Sequence, residues 1–350
     1  MIKEERKHGV WYVAMLLTVS VILCACKSDK GKIVEVAGEE ITSITGTEVV
    51  NTVQNMGEES TKTTEQNIQI ETTTSEQTIP NYIYDKDYDD MNKIWSSGET
   101  SITNEEIQTL ESLLRECDFN ISVKAVSIDG TKCISYNTDK GYFAASAIKA
   151  PYLLYCYKQT DVSNGTFDEE MVYTSKYYRS GTGDIKNSAE GTKYTLHEIM
   201  RRTIWNSDNS AYLMCTERWG KDGYNELMES FGVDRLKLPE RSIWVFDVKV
   251  DDFVIVWKQI YDYFQTGTEG ARAFYDSTTN CKWNFFGQGI SKCVIAQKYG
   301  WAEESFLNAG IVYGENETYI LAVFTDAEGD NTDKKLYGDI VGEIHKLMDK

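Results

Sequence analysis

The chain has 350 residues, with 36 Lys and Arg against 55 Asp and Glu, for a formal net charge of −19 at pH 7. No basic stripe is available to neutralise phosphates, which excludes a nucleic-acid partner. Three His and no Cys-x-x-Cys spacing argue against a zinc site, and neither metal nor cofactor is expected.

The N-terminus reads as a targeting segment. Lys3, Arg6, Lys7 and His8 precede an apolar run from Val10 to Ala25, short for a spanning helix and suited to a signal-peptide core. The run ends Leu23-Cys24-Ala25-Cys26, which resembles a bacterial lipobox. That resemblance implies removal of residues 1–25, a lipid on Cys26, and an extracytoplasmic protein anchored to the cell membrane. An uncleaved anchor would leave the remainder on the same side. Residues 26–98 are rich in Thr, Ser, Glu and Gln and lack a sustained apolar period, so they read as a disordered, solvated tether. Six further cysteines, Cys117, Cys133, Cys156, Cys215, Cys281 and Cys293, lie where disulfides are permitted, and sequence does not choose a pairing.

Order is expected over residues 99–350. Thr103 and Glu106 form a capping box ahead of a helical stripe, Ile107, Leu110, Leu113 and Leu114. Asp129-Gly130 then separates two β-prone runs, a hairpin signal. A helical middle follows: residues 146–159, a second capping box at Thr195 and Glu198, a run ending at Gly220, and the runs KDGYNELMESFG and DDFVIVWKQIYDYF. The runs KCVIAQKYGW, FLNAGIVYG and TYILAVFT read as strands, and the last segment as a closing helix. The order αββ, helical block, βββα predicts an α+β fold, with an antiparallel sheet built from both chain ends and a helical block inserted. A ligand cleft is expected between sheet and block.

Three polar stations fall around that cleft. Ser146 and Lys149 are three residues apart and share a helix face. A serine hydroxyl needs a base to act as a nucleophile, and a lysine among apolar neighbours has its pKa lowered enough to serve. Ser207-Asp208-Asn209 follows one helix and precedes another. These residues cap a helix, and they also fit a proton relay through Ser207, an amide donor to substrate from Asn209, and loop-orienting bonds from Asp208. Lys298, Tyr299 and Gly300 lie on a strand, where the lysine offers positive charge and the glycine lets a substrate backbone approach.

Ser-x-x-Lys, Ser-Asp-Asn and Lys-x-Gly in this order resemble the penicillin-recognising serine hydrolases, in particular class A β-lactamases and low-molecular-mass D,D-peptidases. The resemblance covers residues 100–350 or so. It implies a β-lactamase/transpeptidase-like fold with a five-stranded antiparallel sheet, Ser146 as nucleophile and Lys149 as base or relay. It also implies Ser207 and Asn209 as a second wall and Lys298 and Gly300 as a third. An oxyanion hole would use the backbone N–H of Ser146 and one near Trp301. Tyr178 and Trp301 are candidate cleft walls.

Two features depart from the pattern. Tyr299 stands where the family has Thr or Ser, whose short hydroxyl beside the lysine helps hold a substrate carboxylate, and a phenol puts its OH farther out. The loop that carries the family's deacylating Glu, with Asn three residues later, here contains one glutamate, Glu240, and no matching Asn. The expectation is an exported serine hydrolase, monomeric, that forms an acyl-serine with β-lactams or D-Ala-type cell-wall peptides and turns β-lactams over slowly. The alternative is a catalytically weak binding or sensor module for wall fragments or β-lactams.

Overall fold

A computed structural model describes residues 95–97, 102–162, 166–327 and 334–350. The proposed signal segment, lipidation at Cys26 and nearly all of the proposed tether lie outside these residues. No helix among the described residues is long and apolar enough to cross a membrane.

Both chain ends build one antiparallel sheet. Its strands are β1 (Trp95–Ser97), β2 (Ile121–Ser127), β3 (Cys133–Tyr136), β6 (Val294–Ala302), β7 (Ser305–Tyr313) and β8 (Thr318–Thr325), in the order β1-β3-β2-β8-β7-β6. The five expected strands are joined by a three-residue edge strand, β1, which pairs with β3 inside the stretch read as tether. Composition hid it, because three residues carry no period. A separate two-stranded ribbon joins β4 (Glu170–Val172) to β5 (Lys193–Thr195).

The apolar runs of the central strands are continuous because both faces are covered. On β8, Tyr319, Leu321 and Val323 enter one core, while Ile320, Ala322 and Phe324 enter the other. Helices α1 (Asn104–Arg115) and α8 (Lys334–Met348) pack on the first face. The capping box of Thr103 and Glu106 is formed at the start of α1.

The second face carries the helical block. It comprises α2 (Lys149–Val162), α3 (Leu196–Trp205), α4 (Asn209–Trp219), α5 (Asp222–Ser230), α6 (Val250–Gln265) and α7 (Glu269–Thr279). Helix α2 is apolar nearly all round, as befits its position at the centre of the block. It starts later than expected, because Ala145–Ile148 forms a 3-10 turn before it. Thr195 caps α3, but Glu198 pairs with Arg201 and Arg202 rather than closing a box. Gly220 ends α4 at φ +70°, the conformation that favours glycine at this position. Helix α7 is additional to the helices read from sequence, and its buried Ala271, Phe274 and Thr278 form a stripe with only one large apolar side chain.

Candidate active site

The sequence places three short polar segments at the seam between sheet and block, and the fold closes them around one cleft. A cavity of about 440 Å³ there is lined by Ser146, Ser207, Asn209, Tyr299 and Trp301. Thr182, Phe143, Trp244, Trp283 and Phe285 complete most of its wall.

Ser146 sits in the 3-10 turn and is partly exposed to this cleft. The residue before it, Ala145, has φ +44°, and Ser207 has φ +57°. Left-handed backbone at non-glycine residues costs free energy, and it gathers where geometry is imposed by function. Of the five such residues among those described, Ala145 and Ser207 line the cleft.

Gly300 explains how the turn meets the sheet. A Cβ at this position would fall 2.7 Å from Ala147 N and would also collide with Ala144 O. The expectation that this glycine admits substrate backbone is therefore corrected: its open face receives the turn that carries Ser146. Strand β6 is thereby held against that turn, and Ser146 and Trp301 line the same cleft.

Lys149 is fully buried at the start of α2. Its Nζ donates to Ser207 O (2.7 Å), Ser207 Oγ (3.2 Å) and Asn209 Oδ1 (2.7 Å). Lys298, also buried, donates from the opposite side to Ser207 Oγ (3.0 Å) and to Tyr299 O (2.7 Å). Burial pushes Lys298 down to about 7. Burial, and then the charge of Lys298, push Lys149 well below its ordinary range. Two lysines thus share one serine hydroxyl in a site that disfavours two positive charges, which leaves a nitrogen lone pair available near neutral pH.

Asp208 acts structurally. It is buried and caps α4 by accepting from Ala211 N (2.9 Å). Its second oxygen accepts from Asp184 N (2.6 Å) and Ile185 N (2.9 Å), which fixes the 180–185 loop. Asn209 has a further role. Its Nδ2 donates one N–H to Ser180 O (2.8 Å) and its Oδ1 accepts from Lys149, so it orients the lysine while lining the cleft.

Tyr299 and Lys298 leave β6 on opposite faces, as the two-residue strand period requires. The Tyr299 ring packs edge-on against Trp283 (5.7 Å) and Phe285 (5.0 Å), with Lys298 Nζ 4.0 Å from its centroid. Burial raises its phenol far above the usual range, opposed by a hydrogen bond with Ser207. Trp301 walls the cleft as expected, but Tyr178 is exposed and is not among the lining residues.

Glu240 is exposed, in a turn whose backbone carbonyls at Pro239, Glu240 and Ser242 accept from Lys221 Nζ. The structure does not bring it to the cleft. The same loop delivers Trp244 instead. Paired backbone bonds between Tyr142 and Val248, and a bond from Ala144 N to Val245 O, tie the loop to the segment ahead of Ser146. Trp244 then lies 5.7 Å from Lys149 Nζ, with Tyr212 at 5.8 Å. No Asp or Glu lines the cleft among the described residues. No group of three His, Cys, Asp or Glu that could hold a metal ion was found among them either.

Sequence reasoning missed Thr182, Trp244, Trp283 and Phe285. Gly181-Thr182-Gly183 carried a usable signal. Gly183 has φ +101°, and a Cβ there would strike the Asp208 side chain. The three aromatics come from loops, where composition does not separate a cleft wall from core.

A cleft serine, a buried lysine pair and a second serine between them, at the seam of an antiparallel sheet and a helical block, are the groups that a serine hydrolase of the acyl-transfer type uses. The family comparison agrees: the model of the Beta-lactamase enzyme family matches residues 103–348, and the chain belongs to that family. Solved structures share the fold. PBP-A is 19% identical with a TM-score of 0.61, covering 70% of this chain and 96% of PBP-A. A β-lactamase from Sphaerobacter thermophilus is 20% identical with a TM-score of 0.59, covering 69% and 95%. The TLA-1 extended-spectrum β-lactamase is 15% identical with a TM-score of 0.61, covering 71% and 99%. No match was found among curated proteins.

Proposed function

We propose that this protein is an exported, lipid-anchored serine hydrolase that is acylated at Ser146 by β-lactams or D-Ala-type cell-wall peptides and releases the acyl group slowly. In this reading the lysine pair takes the Ser146 proton as the hydroxyl attacks, and Ser207 passes it to the leaving nitrogen. One observation carries the slow second step. Attack by water on an ester needs a general base, and the wall from which a carboxylate would act holds Trp244. A variant of PBP-A, a structural neighbour, has been captured as an acyl-enzyme complex with penicillin G, which fits the same intermediate here. Should the persistent acyl-serine itself be the output, the protein serves as a sensor, and the same geometry supports it.

The test is intact-protein mass spectrometry after mixing with benzylpenicillin, followed over hours. A stoichiometric adduct that persists for many minutes and is absent from Ser146→Ala is expected. Rapid turnover with no accumulating adduct would overturn slow release. Labelling of Ser146→Ala would remove Ser146 as the nucleophile.

A further inference from the structure

Half of the residues lining the cleft are aromatic, and four of them, Trp283, Phe285, Tyr299 and Trp301, lie on or against β6. Trp283, Phe285 and Trp301 also wall a second cavity of about 170 Å³, continued by Phe306 and Tyr337. Phe285 packs edge-on against Phe306 (4.9 Å), and Phe306 against Tyr337 (5.4 Å), so this apolar surface has support behind it. Trp301 is 47% exposed, open to cover by a bound group.

The buried positive charge on this side is already committed. Among the described residues, the Lys or Arg side chains that bond to Ser207 are Lys149 and Lys298, both buried and bonded inward to protein oxygens. Lys334 lines only the smaller cavity and Lys282 Nζ lies 4.8 Å from the Trp283 ring centroid, and both are exposed, where an ion pair contributes little. Beside Lys298, β6 adds to the cleft wall the Tyr299 phenol, held among Trp283 and Phe285, while the neighbouring Gln297 is spent on Phe286 N, Asn284 and Asn308. An anion seated there would lose its water without gaining a buried cation, which disfavours it. An aryl or alkyl group would be favoured by the apolar surface it covered.

Resting on the acyl-serine reading above, though not on its donors, all of which carry a carboxylate, we propose that the preferred acyl donor presents an uncharged aromatic or aliphatic group to the Tyr299–Trp301 side of the cleft and acylates Ser146 faster than they do. With an ester donor, Ser146 Oγ bonds to the acyl carbon and the bond from that carbon to the alcohol oxygen breaks. The Ser146 proton, passed through the lysine pair and Ser207, leaves on the released alcohol.

The experiment uses the purified full chain and two phenyl esters of phenylacetylglycine, identical except that one carries a 3-carboxylate on the phenyl ring. Phenol release and Ser146 acylation by intact mass are followed for each, and the rate ratio is divided by the same ratio in alkaline hydrolysis. The neutral ester is expected to acylate Ser146 at least tenfold faster. Trp301→Ala, an exposed position that spares the core, should cut that preference to below threefold. Equal or faster acylation by the carboxylated ester would overturn the inference while leaving the acyl-serine reading intact. Failure of both esters and of benzylpenicillin to acylate folded protein would overturn the acyl-serine reading itself, and this inference with it.

Discussion

At the scale of single residues, the proposed acylation rests on a proton deficit. Ser207 Oγ accepts from two lysines, and burial disfavours the charge on each. Acylation requires the pair to be one proton short. Its rate constant is therefore expected to fall about tenfold per pH unit below the pair's titration, and to level off above pH 7 to 8. Stopped acylation assays between pH 5 and 9 check this, and a flat profile would remove the lysines as the base. The sign for stability follows from the same shift. Lys298 has a folded pKa of about 7, below its unfolded value, so the unfolded chain holds the proton more tightly. This contribution makes stability rise with pH from about 7 towards the ordinary lysine range. Asp208 is the opposite kind of residue, since it serves structure alone. Asp208→Ala would strand three backbone donors at the cap of α4 and in the 180–185 loop. A loss of about 2–4 kcal/mol in urea unfolding is expected, with acylation falling in parallel.

At the scale of elements, the contact between β6 and the 3-10 turn decides whether the site assembles. Strand β6 lies at the sheet edge, in register with β7 from Val294 opposite Tyr313 to Ala302 opposite Ser305. Gly300 is the point where the turn rests on it. Gly300→Ala should push the Ser146 turn away from the strand, costing about 1–3 kcal/mol by thermal unfolding and more than tenfold in acylation. Unchanged acylation would mean that the turn and strand need not touch. The loop carrying Trp244 is the second decisive element. It is fixed by two backbone bonds between Tyr142 and Val248 and one from Ala144 to Val245, so the indole over Lys149 is a product of strand-like pairing and not of local sequence.

At the scale of the whole molecule, two cores share one sheet. Cys133, Cys156 and Cys215 are fully buried and are free thiols, and burial raises the pKa of Cys133 and Cys156. Their alkylation by a maleimide should follow global unfolding, with labelling in native buffer slower by a factor of 10³ or more than in urea. Fast native labelling of Cys156 or Cys215 would show that α2 and α4 separate locally, which would open the site from behind.

The sequence by itself determined the element order, the capped helices, the doubly buried strands and three polar stations, because each is written in local periodicity or in short motifs. Ser146, Lys149, Ser207 and Lys298 were legible for that reason. Only the tertiary structure decided the rest. It turned Asn209 towards Lys149 and Ser180, gave the open face of Gly300 to the turn, left Glu240 in solvent and brought Trp244, Trp283 and Phe285 to the cleft. These outcomes depend on which loops meet across the seam between sheet and block, and no local pattern encodes a meeting of segments far apart in the chain.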